Sequence, residues 1–153
     1  MKDIYNEAAK LLQNSSHAIA FTGAGISVES GIPPFRGKGG LWNKYDPSTL
    51  DLGSFMKNPA SAWPSIKEIF YEHWGQASPN PAHYALAKME SMGLIKGIVT
   101  MNIDALHQKA GSKRVYELHG STLRNYCENC HAFYDEKYVL AARNRKSLLA
   151  WYL

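Results

Sequence analysis

The chain has 153 residues, 45% of them hydrophobic, which is enough for one sizeable core and too short for two full domains. Its 17 lysines and arginines and its 13 acidic residues give a net charge of +4, which suits an anionic ligand. The basic residues are spread along the sequence without forming a block, so we expect no nucleic-acid partner.

The apolar runs are far too short to span a membrane, and no hydrophobic segment follows Lys2 as a secretion signal would require. We therefore expect a soluble, cytoplasmic protein with no membrane partner. Its two cysteines, Cys127 and Cys130, form one C-x-x-C pair. In a reducing cytosol this spacing more often binds a metal ion than forms a disulfide.

The first predicted elements are a helix and a strand. Apolar residues at helical spacing predict a helix that begins near Asp3, ends near residues 14–16 and packs on the first strand. These residues are Ile4, Ala8, Leu11 and Leu12. Residues 17–21 have the length and composition of a buried strand.

The first predicted strand runs into a glycine-rich turn formed by Gly23, Ala24 and Gly25. Glycines at the end of a strand let backbone N–H groups approach a pyrophosphate closely. The dinucleotide-binding pattern G-x-G-x-x-G is incomplete because Val28 takes the place of the third glycine. The turn alone therefore fits a binding site and an ordinary turn about equally.

A loop set by prolines covers residues 30–37 and carries Phe35 and Arg36. An aromatic ring and a guanidinium beside a phosphate-binding turn can cover a planar ring and hold a negative charge. The loop therefore favours the binding interpretation of the glycine turn. Trp42 and Tyr45 are the expected anchors of the surface segment that follows.

Two helices and a second strand come next. Residues 59–74 carry large apolar side chains at helical spacing, which we interpret as core rather than ligand contacts. These side chains are Trp63, Ile66, Ile69, Phe70 and Trp74. A helix capped by Asn80 ends at Gly93, and residues 95–101 form the second strand. This order predicts a βαβ crossover, and hence an α/β fold with a parallel sheet.

Polar residues follow the second and third strands. Asn102 and Asp104 come after the second strand, and residues 115–118 form a third strand that leads to His119. Ligands bind at the carboxyl ends of strands in an open α/β sheet, so Asn102 and Asp104 can hold ribose hydroxyls or an amide. Alternatively, Asp104 caps the helix that follows it. Histidine as a residue type has an unperturbed pKa of roughly 6.5 and can act as a general base near pH 7, so His119 is the candidate base. The remaining histidines are interpreted as structural: His17, His73, His83, His107 and His131.

Five motifs over about residues 3–135 resemble the sirtuins in order and spacing. They are residues 23–27, 31–37, 100–107 with 110–111, 118–120, and the C-x-x-C pair at 127–130. Sirtuins are NAD-dependent protein-lysine deacylases built on a Rossmann domain with a small zinc module. The resemblance implies the N-terminal part of a Rossmann-like, parallel-sheet NAD-binding domain over residues 1–126. Residues 127–153 would be the start of an incomplete zinc module and an unmatched tail.

The resemblance also implies site roles. NAD would be bound at Gly23, Ala24, Gly25, Ser27, Phe35, Arg36, Met101, Asn102, Ile103, Asp104 and His119. Among these, Asn102 and Asp104 would hold the nicotinamide and its ribose for cleavage. His119 would be the general base that deprotonates a ribose hydroxyl. The implied products are nicotinamide, free lysine and O-acyl-ADP-ribose.

The sequence departs from the sirtuin pattern within the site. Pro34 stands where many members carry Asp, and the loop keeps its Phe35 and Arg36. Met101 stands where the family usually has Gln, and a thioether cannot make the hydrogen bonds of an amide, which bears on turnover more than on binding. The helix over 59–74 lacks the Tyr and Arg, three residues apart, of members that prefer acidic acyl groups. Acetylated-lysine proteins are therefore the expected substrates.

The zinc module is also incomplete in the sequence. Structural zinc takes four ligands, and a second cysteine pair is expected about 15–20 residues after the first. No cysteine follows Cys130. His131 and Asp135 are the remaining candidates to join Cys127 and Cys130.

Two functional hypotheses remain open. The first is an NAD-dependent protein-lysine deacetylase, as a fragment of a longer protein or completed by a partner. The second is a catalytically dead remnant that at most binds NAD or another protein. A half-wound sheet predicts self-association through its exposed edge. A Rossmann dehydrogenase is disfavoured because hydride transfer has no need of the clamp at residues 32–36.

Overall fold

The computed structural model describes residues 2–127, 130–135 and 138. The unmatched tail, predicted from about residue 141, lies outside these residues, as does the window at about 146–151 in which a second cysteine pair is expected.

The fold contains a parallel sheet of three short strands. Its strands are β1 (Ala20–Thr22), β2 (Ile98–Thr100) and β3 (Val115–Glu117), in the order β1-β2-β3. In the pairing register, Thr22 is opposite Thr100 and Thr100 is opposite Glu117. The carboxyl ends of the three strands are therefore level. The predicted α/β class and parallel sheet are confirmed, although each strand is shorter than the apolar run that predicted it.

Helices occupy the stretches between the strands. The α-helices of the described residues are α1 (Lys2–Asn14), α2 (Leu52–Lys57), α3 (Pro59–Lys67), α4 (Pro81–Ser91) and α5 (Leu106–Lys109). The predicted helix over 59–74 is one helical stretch in which α3 continues directly into a π-helix, Glu68–His73. None of the described helices is long and apolar enough to cross a membrane.

The segment between β1 and α2 contains three 3₁₀-helices. They cover Ala24–Ser30, Leu41–Asn43 and Pro47–Leu50. The first begins at the glycine turn and ends at Gly31, whose φ of 86° residues with a side chain rarely adopt. The chain thus enters a tight helix directly after β1, and this helix brings Ser27 close to the sheet.

The hydrophobic core lies between the helical stretch over 59–74 and the residues that follow β2. Its buried members are Ile32, Leu41, Ile69, Phe70, Trp74, Ile103 and Leu106. Trp42 and Tyr45 are half-buried and pack against this core. Their predicted role as anchors of the surface segment is confirmed.

The first helix, α1, presents its apolar residues to solvent. Ile4 and Leu11 are 68% and 70% exposed, and among residues 3–14 only Leu12 is half-buried. The prediction that this helix packs on the first strand is therefore wrong. Amphipathic spacing predicts that a helix forms, but it does not specify the surface that the apolar stripe contacts.

The C-x-x-C pair lies in a small antiparallel hairpin. Strand β4 (Asn125–Tyr126) pairs with β5 (Phe133–Tyr134). Cys127 N donates to the carbonyl oxygen of Ala132 at 3.0 Å, which closes the hairpin beside the first cysteine. Both thiols are free, with Cys127 buried and Cys130 exposed.

Candidate functional site

A cavity of about 310 Å³ lies at the carboxyl ends of the parallel strands. The predicted site residues that line it are Ala24, Phe35, Met101, Asn102, Ile103, Asp104 and His119. The segments that follow β1, β2 and β3 therefore meet at one place, which is the ligand position in an open α/β sheet. Gly23, Gly25, Ser27 and Arg36 are not among the lining residues.

The glycine turn leaves open space beside its backbone. Gly23 precedes the first 3₁₀-helix, and its carbonyl oxygen accepts from Ile26 N at 3.1 Å. Within the described part of the chain, no heavy atom outside the turn lies within 4 Å of the position that a Cβ would take on Gly23 or Gly25. This space is available to a phosphate that approaches the backbone closely.

The opposite wall of the cavity is apolar. Its side chains come from the third 3₁₀-helix, α2 and the helical stretch over 59–74: Leu50, Leu52, Phe55, Trp63, Ile66 and Phe70. Trp74 and Ile32 belong both to the core and to this lining. The interpretation of the residues over 59–74 as core is therefore incomplete, because several of them also face the cavity.

Ser27 connects the residues after β1 to those after β2. Its side chain is fully buried, and its Oγ donates to Asp104 Oδ2 at 2.7 Å and accepts from Asn102 Nδ2 at 3.0 Å. Asn102 Nδ2 also donates to Asp104 Oδ2, at 3.2 Å. The other carboxylate oxygen, Asp104 Oδ1, accepts from Leu106 N at 2.9 Å. Asp104 is thus a cavity residue whose side chain also accepts from the first residue of α5. The N-cap position of α5 is Ala105, which makes no side-chain cap hydrogen bond, so the alternative that Asp104 caps this helix is wrong.

A pair of threonines ties the ends of β1 and β2 beneath this network. Thr22 Oγ1 donates to Thr100 Oγ1 at 2.8 Å, and Thr100 Oγ1 also accepts from Asn102 N at 3.1 Å. The backbone of Asn102 is therefore fixed from the sheet while its side chain is fixed from Ser27. This double attachment limits the positions that the Asn102 amide can take in the cavity.

Two buried histidines pack behind Ser27. His83 of α4 lies with Nε2 3.5 Å from Ser27 Oγ, and His107 of α5 lies with Nε2 2.8 Å from Thr22 Oγ1. Their ring centroids are 4.9 Å apart. The pKa of His107 is lowered to about 4, mainly by burial. The neighbouring His83 lowers this pKa further, whereas Asp104 raises it. Burial also lowers the pKa of His83, again opposed by Asp104.

The proline-set loop is held against the core by its aromatic residue. Phe35 lies with its ring centroid 5.2 Å from that of Trp42 and 6.2 Å from that of Trp74. Leu41 N donates to Pro34 O at 2.8 Å, and Trp42 N donates to Phe35 O at 3.0 Å. Phe35 therefore faces the cavity from a fixed position, whereas Arg36 is exposed to solvent.

His119 and Met101 complete the cavity from the sheet side. His119 is exposed, and the neighbouring Leu118 N donates to Thr100 O at 2.9 Å, which holds the chain after β3 against β2. Met101 lines the cavity with 45% of its surface exposed. An exposed imidazole at the rim can exchange its proton with solvent, as a general base requires.

The C-x-x-C pair supplies only part of a metal site. The pKa of the Cys130 thiol is lowered, mainly by the backbone N–H of Ala132 and then by the Cys127 side chain, which favours a thiolate. Within the described residues, no group of three or more potential ligands comes together. His131 and Asp135 therefore do not complete the site with Cys127 and Cys130. A tetrahedral zinc site does not fit the ligands that the structure describes.

Sequence reasoning missed the role of the buried histidines. His83 and His107 are structural in the sense expected, but each lies within hydrogen-bonding distance of a hydroxyl group of the site network. The local signal was the pattern at the start of α4, where Asn80 accepts from His83 N and Asn80 N donates to His83 Nδ1. This pattern predicts a capping box and does not reveal the serine on the other side of the ring.

The sequence pattern of the Sir2 family matches residues 23–149. An NAD-dependent protein deacylase 2 of Archaeoglobus fulgidus is 52% identical over 136 residues, which cover 88% of this chain and 53% of that protein. An NAD-dependent protein deacetylase of Saccharolobus solfataricus is 50% identical over 145 residues, which cover 95% of this chain and 58% of that protein. The chain thus spans about half the length of the curated relatives it matches.

Solved structures show the same relationship. A Sir2 structure with a deacetylated p53 peptide and 3′-O-acetyl ADP ribose superposes with a TM-score of 0.85 at 40% identity, covering 92% of this chain and 57% of that one. A Sir2 structure with a p53 peptide and NAD⁺ gives a TM-score of 0.82 at 38% identity, covering 95% of this chain and 60% of that one. Motifs, fold and family match agree, and the chain therefore belongs to the Sir2 family, the sirtuins.

Proposed function

We propose that the protein is an NAD-dependent protein-lysine deacylase that removes acetyl groups and forms nicotinamide and O-acyl-ADP-ribose. The observation that carries this proposal is the convergence of Ala24, Asn102, Asp104 and His119 on one cavity at the ends of three parallel strands. The names of the relatives, NAD-dependent deacylases and deacetylases, support it. So does the occurrence of NAD⁺ and a peptide in a solved relative.

The site residues have distinct proposed roles. NAD supplies a nicotinamide–ribose bond whose cleavage drives the transfer of the acyl group. The open backbone at Gly23 and Gly25 takes the phosphates, and the Asn102 amide and the Asp104 carboxylate orient the nicotinamide and its ribose. Phe35 covers the cavity and excludes water that would compete for the ribose carbon. His119 accepts the proton of a ribose hydroxyl at the rim.

Contacts to the rest of NAD belong to the same proposal. Met101 and Ile103 line the cavity, whereas Ser27 acts from behind it through Asn102 and Asp104. Arg36 is exposed on the loop beside Phe35, where its guanidinium can hold a phosphate of a bound dinucleotide.

The apolar wall supports an uncharged acyl group as substrate. Trp63 and Ile66 face the cavity three residues apart, and the cavity lining within the described residues includes neither lysine nor arginine. A carboxylate on the acyl chain would lose its hydration there without gaining a cation. Acetyl-lysine in a protein is therefore the proposed substrate.

The alternative function is a catalytically dead protein that at most binds NAD or a partner. Met101 favours it, because a thioether lines the cavity where the family usually places an amide. Its affinity for NAD would then persist without peptide-dependent release of nicotinamide.

Three further properties are proposed with the enzyme. The free thiols of Cys127 and Cys130 support a cytoplasmic location, since they persist in a reducing compartment.

Zinc bound at these cysteines would need two ligands beyond the described residues, and metal analysis of the purified protein tests this. Phe21 and Tyr116 on the outer strands are 64% and 60% exposed, which supports self-association through the sheet.

The proposed activity is tested by titrating the full chain with NAD and then measuring nicotinamide release with an acetyl-lysine peptide. We expect peptide-dependent release, which His119→Ala reduces by about 10²–10⁴-fold while the affinity for NAD is largely kept. His17→Ala, which removes another exposed histidine, is the matched control. Binding without release in the wild-type chain would favour the non-catalytic alternative. If the folded chain neither binds NAD nor releases nicotinamide, the proposed deacylase activity is refuted, and of the alternative only binding to a partner remains.

A further inference from the structure

The hydroxyl group of Ser27 has all of its hydrogen-bonding capacity used within the site. A serine hydroxyl has one proton to donate and two lone pairs that accept. The proton goes to Asp104 Oδ2 at 2.7 Å, and one lone pair accepts from Asn102 Nδ2 at 3.0 Å. The second lone pair faces His83 Nε2, 3.5 Å away. This distance is long for a hydrogen bond, but both side chains are fully buried.

The tautomer of His83 is set from the other side of the ring. Asn80 N lies 3.3 Å from His83 Nδ1, and a backbone N–H can only donate, so Nδ1 is the bare acceptor and Nε2 carries the hydrogen. Burial lowers the pKa of His83 and keeps the ring neutral, although Asp104 opposes this shift. A hydrogen on Nε2 points at Ser27 and cannot accept the serine proton. Ser27 must therefore donate to Asp104.

We propose that His83 is a positioning residue that, through Ser27, fixes the orientation of the Asn102 amide and the Asp104 carboxylate at the cavity. Both hydrogen bonds of the Asn102 side chain use Nδ2, so its acceptor atom Oδ1 is the end available to a ligand. A bare Nε2 on His83 would compete with Asp104 for the serine proton and turn the hydroxyl group, so that the lone pair that accepts from Asn102 Nδ2 would no longer be aligned with it. The link to NAD affinity rests on the proposed function, whereas the link to Asn102 does not.

Two substitutions separate positioning from helix capping. The amide of an asparagine side chain overlaps the Nδ1 position of histidine, so His83→Asn keeps an acceptor for Asn80 N and loses the group that reaches Ser27. The amide of a glutamine reaches the Nε2 position, so His83→Gln keeps a donor toward Ser27 and loses the acceptor for Asn80 N. Tyr84→Phe, at the next and exposed position of α4, is the control.

The decisive measurement is the rate at which the Asn102 side-chain amide exchanges its hydrogens with water, followed by NMR on the full chain. For His83→Asn we expect about fivefold faster exchange, the effect of losing the hydrogen bond that holds the serine hydroxyl, and a lower urea midpoint because the buried ring leaves a cavity. For His83→Gln we expect the wild-type exchange rate and a lower midpoint. An unchanged rate in His83→Asn, or equal acceleration in both variants, would overturn the proposal.

A second measurement needs no variant. In ¹⁵N spectra of the wild-type chain, the His83 ring is expected to be protonated at Nε2 and bare at Nδ1, and the opposite tautomer would overturn the proposal. NAD affinity is expected to fall about fivefold in His83→Asn and to remain in His83→Gln. Failure of the wild-type chain to bind NAD would refute the proposed cofactor, while the amide exchange rates would still decide the role of His83.

Discussion

Ser27 Oγ and Asp104 Oδ2 are 2.7 Å apart, and this hydrogen bond joins the glycine turn after β1 to the segment after β2. The two residues are 77 positions apart in sequence, and both are buried. A hydroxyl donating to a carboxylate is a charge-assisted bond, which is stronger than a bond between neutral groups. This bond adds a link between the segments after β1 and β2 to the one that Thr22 and Thr100 make between the strand ends.

Ser27→Ala is expected to weaken NAD binding by about tenfold. The substitution removes a hydrogen bond to a charged group, worth about 1.5–3 kcal/mol, and leaves Asn102 Nδ2 with one acceptor instead of two. Calorimetric titration with NAD measures the loss, and Ser61→Ala at an exposed position of α3 is the control. Equal NAD affinity in both variants would show that the connection between the strand ends is not needed for binding.

Gly40→Ala is expected to displace the loop that carries Phe35. A Cβ on Gly40 would lie 2.8 Å from the carbonyl carbon of Arg36 and 2.9 Å from the carbonyl oxygen of Phe35, and backbone atoms cannot move aside cheaply. We expect the free energy of unfolding to fall by about 1–3 kcal/mol and Trp42 fluorescence to change. In Gly53→Ala the added Cβ lies 3.3 Å from a side-chain oxygen of Asp51, so this control should cost far less.

Stability is expected to fall as the pH decreases from about 6.5 to about 4. The pKa of His107 is about 4 in the folded protein and roughly 6.5 in the unfolded chain, so unfolding takes up a proton within this window. Within this pH range, His107 makes the free energy of unfolding fall by up to about 1.4 kcal/mol per pH unit. Above a pH of about 6.5 it contributes no slope. His83, whose pKa is also lowered, adds to the same slope.

Urea unfolding at a series of pH values from 7.5 to 4 measures this slope. His107→Asn is expected to reduce this slope, because His107 no longer titrates whereas His83 still does, even where the overall stability of the variant is lower. His17→Gln replaces an exposed histidine and should keep the wild-type slope. A His107→Asn variant with the full slope would assign the proton uptake to another group.

The cluster of Asn102, Asp104 and His119 could be predicted because it depends on one rule of topology. Three apolar runs predicted three parallel strands, and the residues that follow parallel strands meet at one edge of the sheet. Strand bounds mattered little for this result. Each strand is shorter than predicted, yet the order and direction of the strands alone bring these side chains to one cavity.

The roles of His83 and His107 could not be predicted, because they depend on how α4 and α5 pack together. Helical spacing gives the direction of a side chain from its own helix, whereas the 4.9 Å between the two rings results from the contact between α4 and α5. The same limit applies to α1. Its apolar spacing correctly predicted a helix, but the predicted packing of this helix on the first strand was wrong. Local patterns predict elements, and contacts between distant elements decide the rest.

Ile66→Arg is expected to extend the acyl preference toward succinyl-lysine. Ile66 lines the cavity beside Trp63, and a guanidinium there would give a bound carboxylate the partner that the apolar wall lacks. We expect kcat/KM for a succinyl-lysine peptide to rise by about tenfold relative to an acetyl-lysine peptide, since a charge-assisted hydrogen bond is worth about 1.5–3 kcal/mol. Ile66→Met, of similar volume and uncharged, is the control. An unchanged ratio in Ile66→Arg would show that the acyl group does not reach this wall of the cavity.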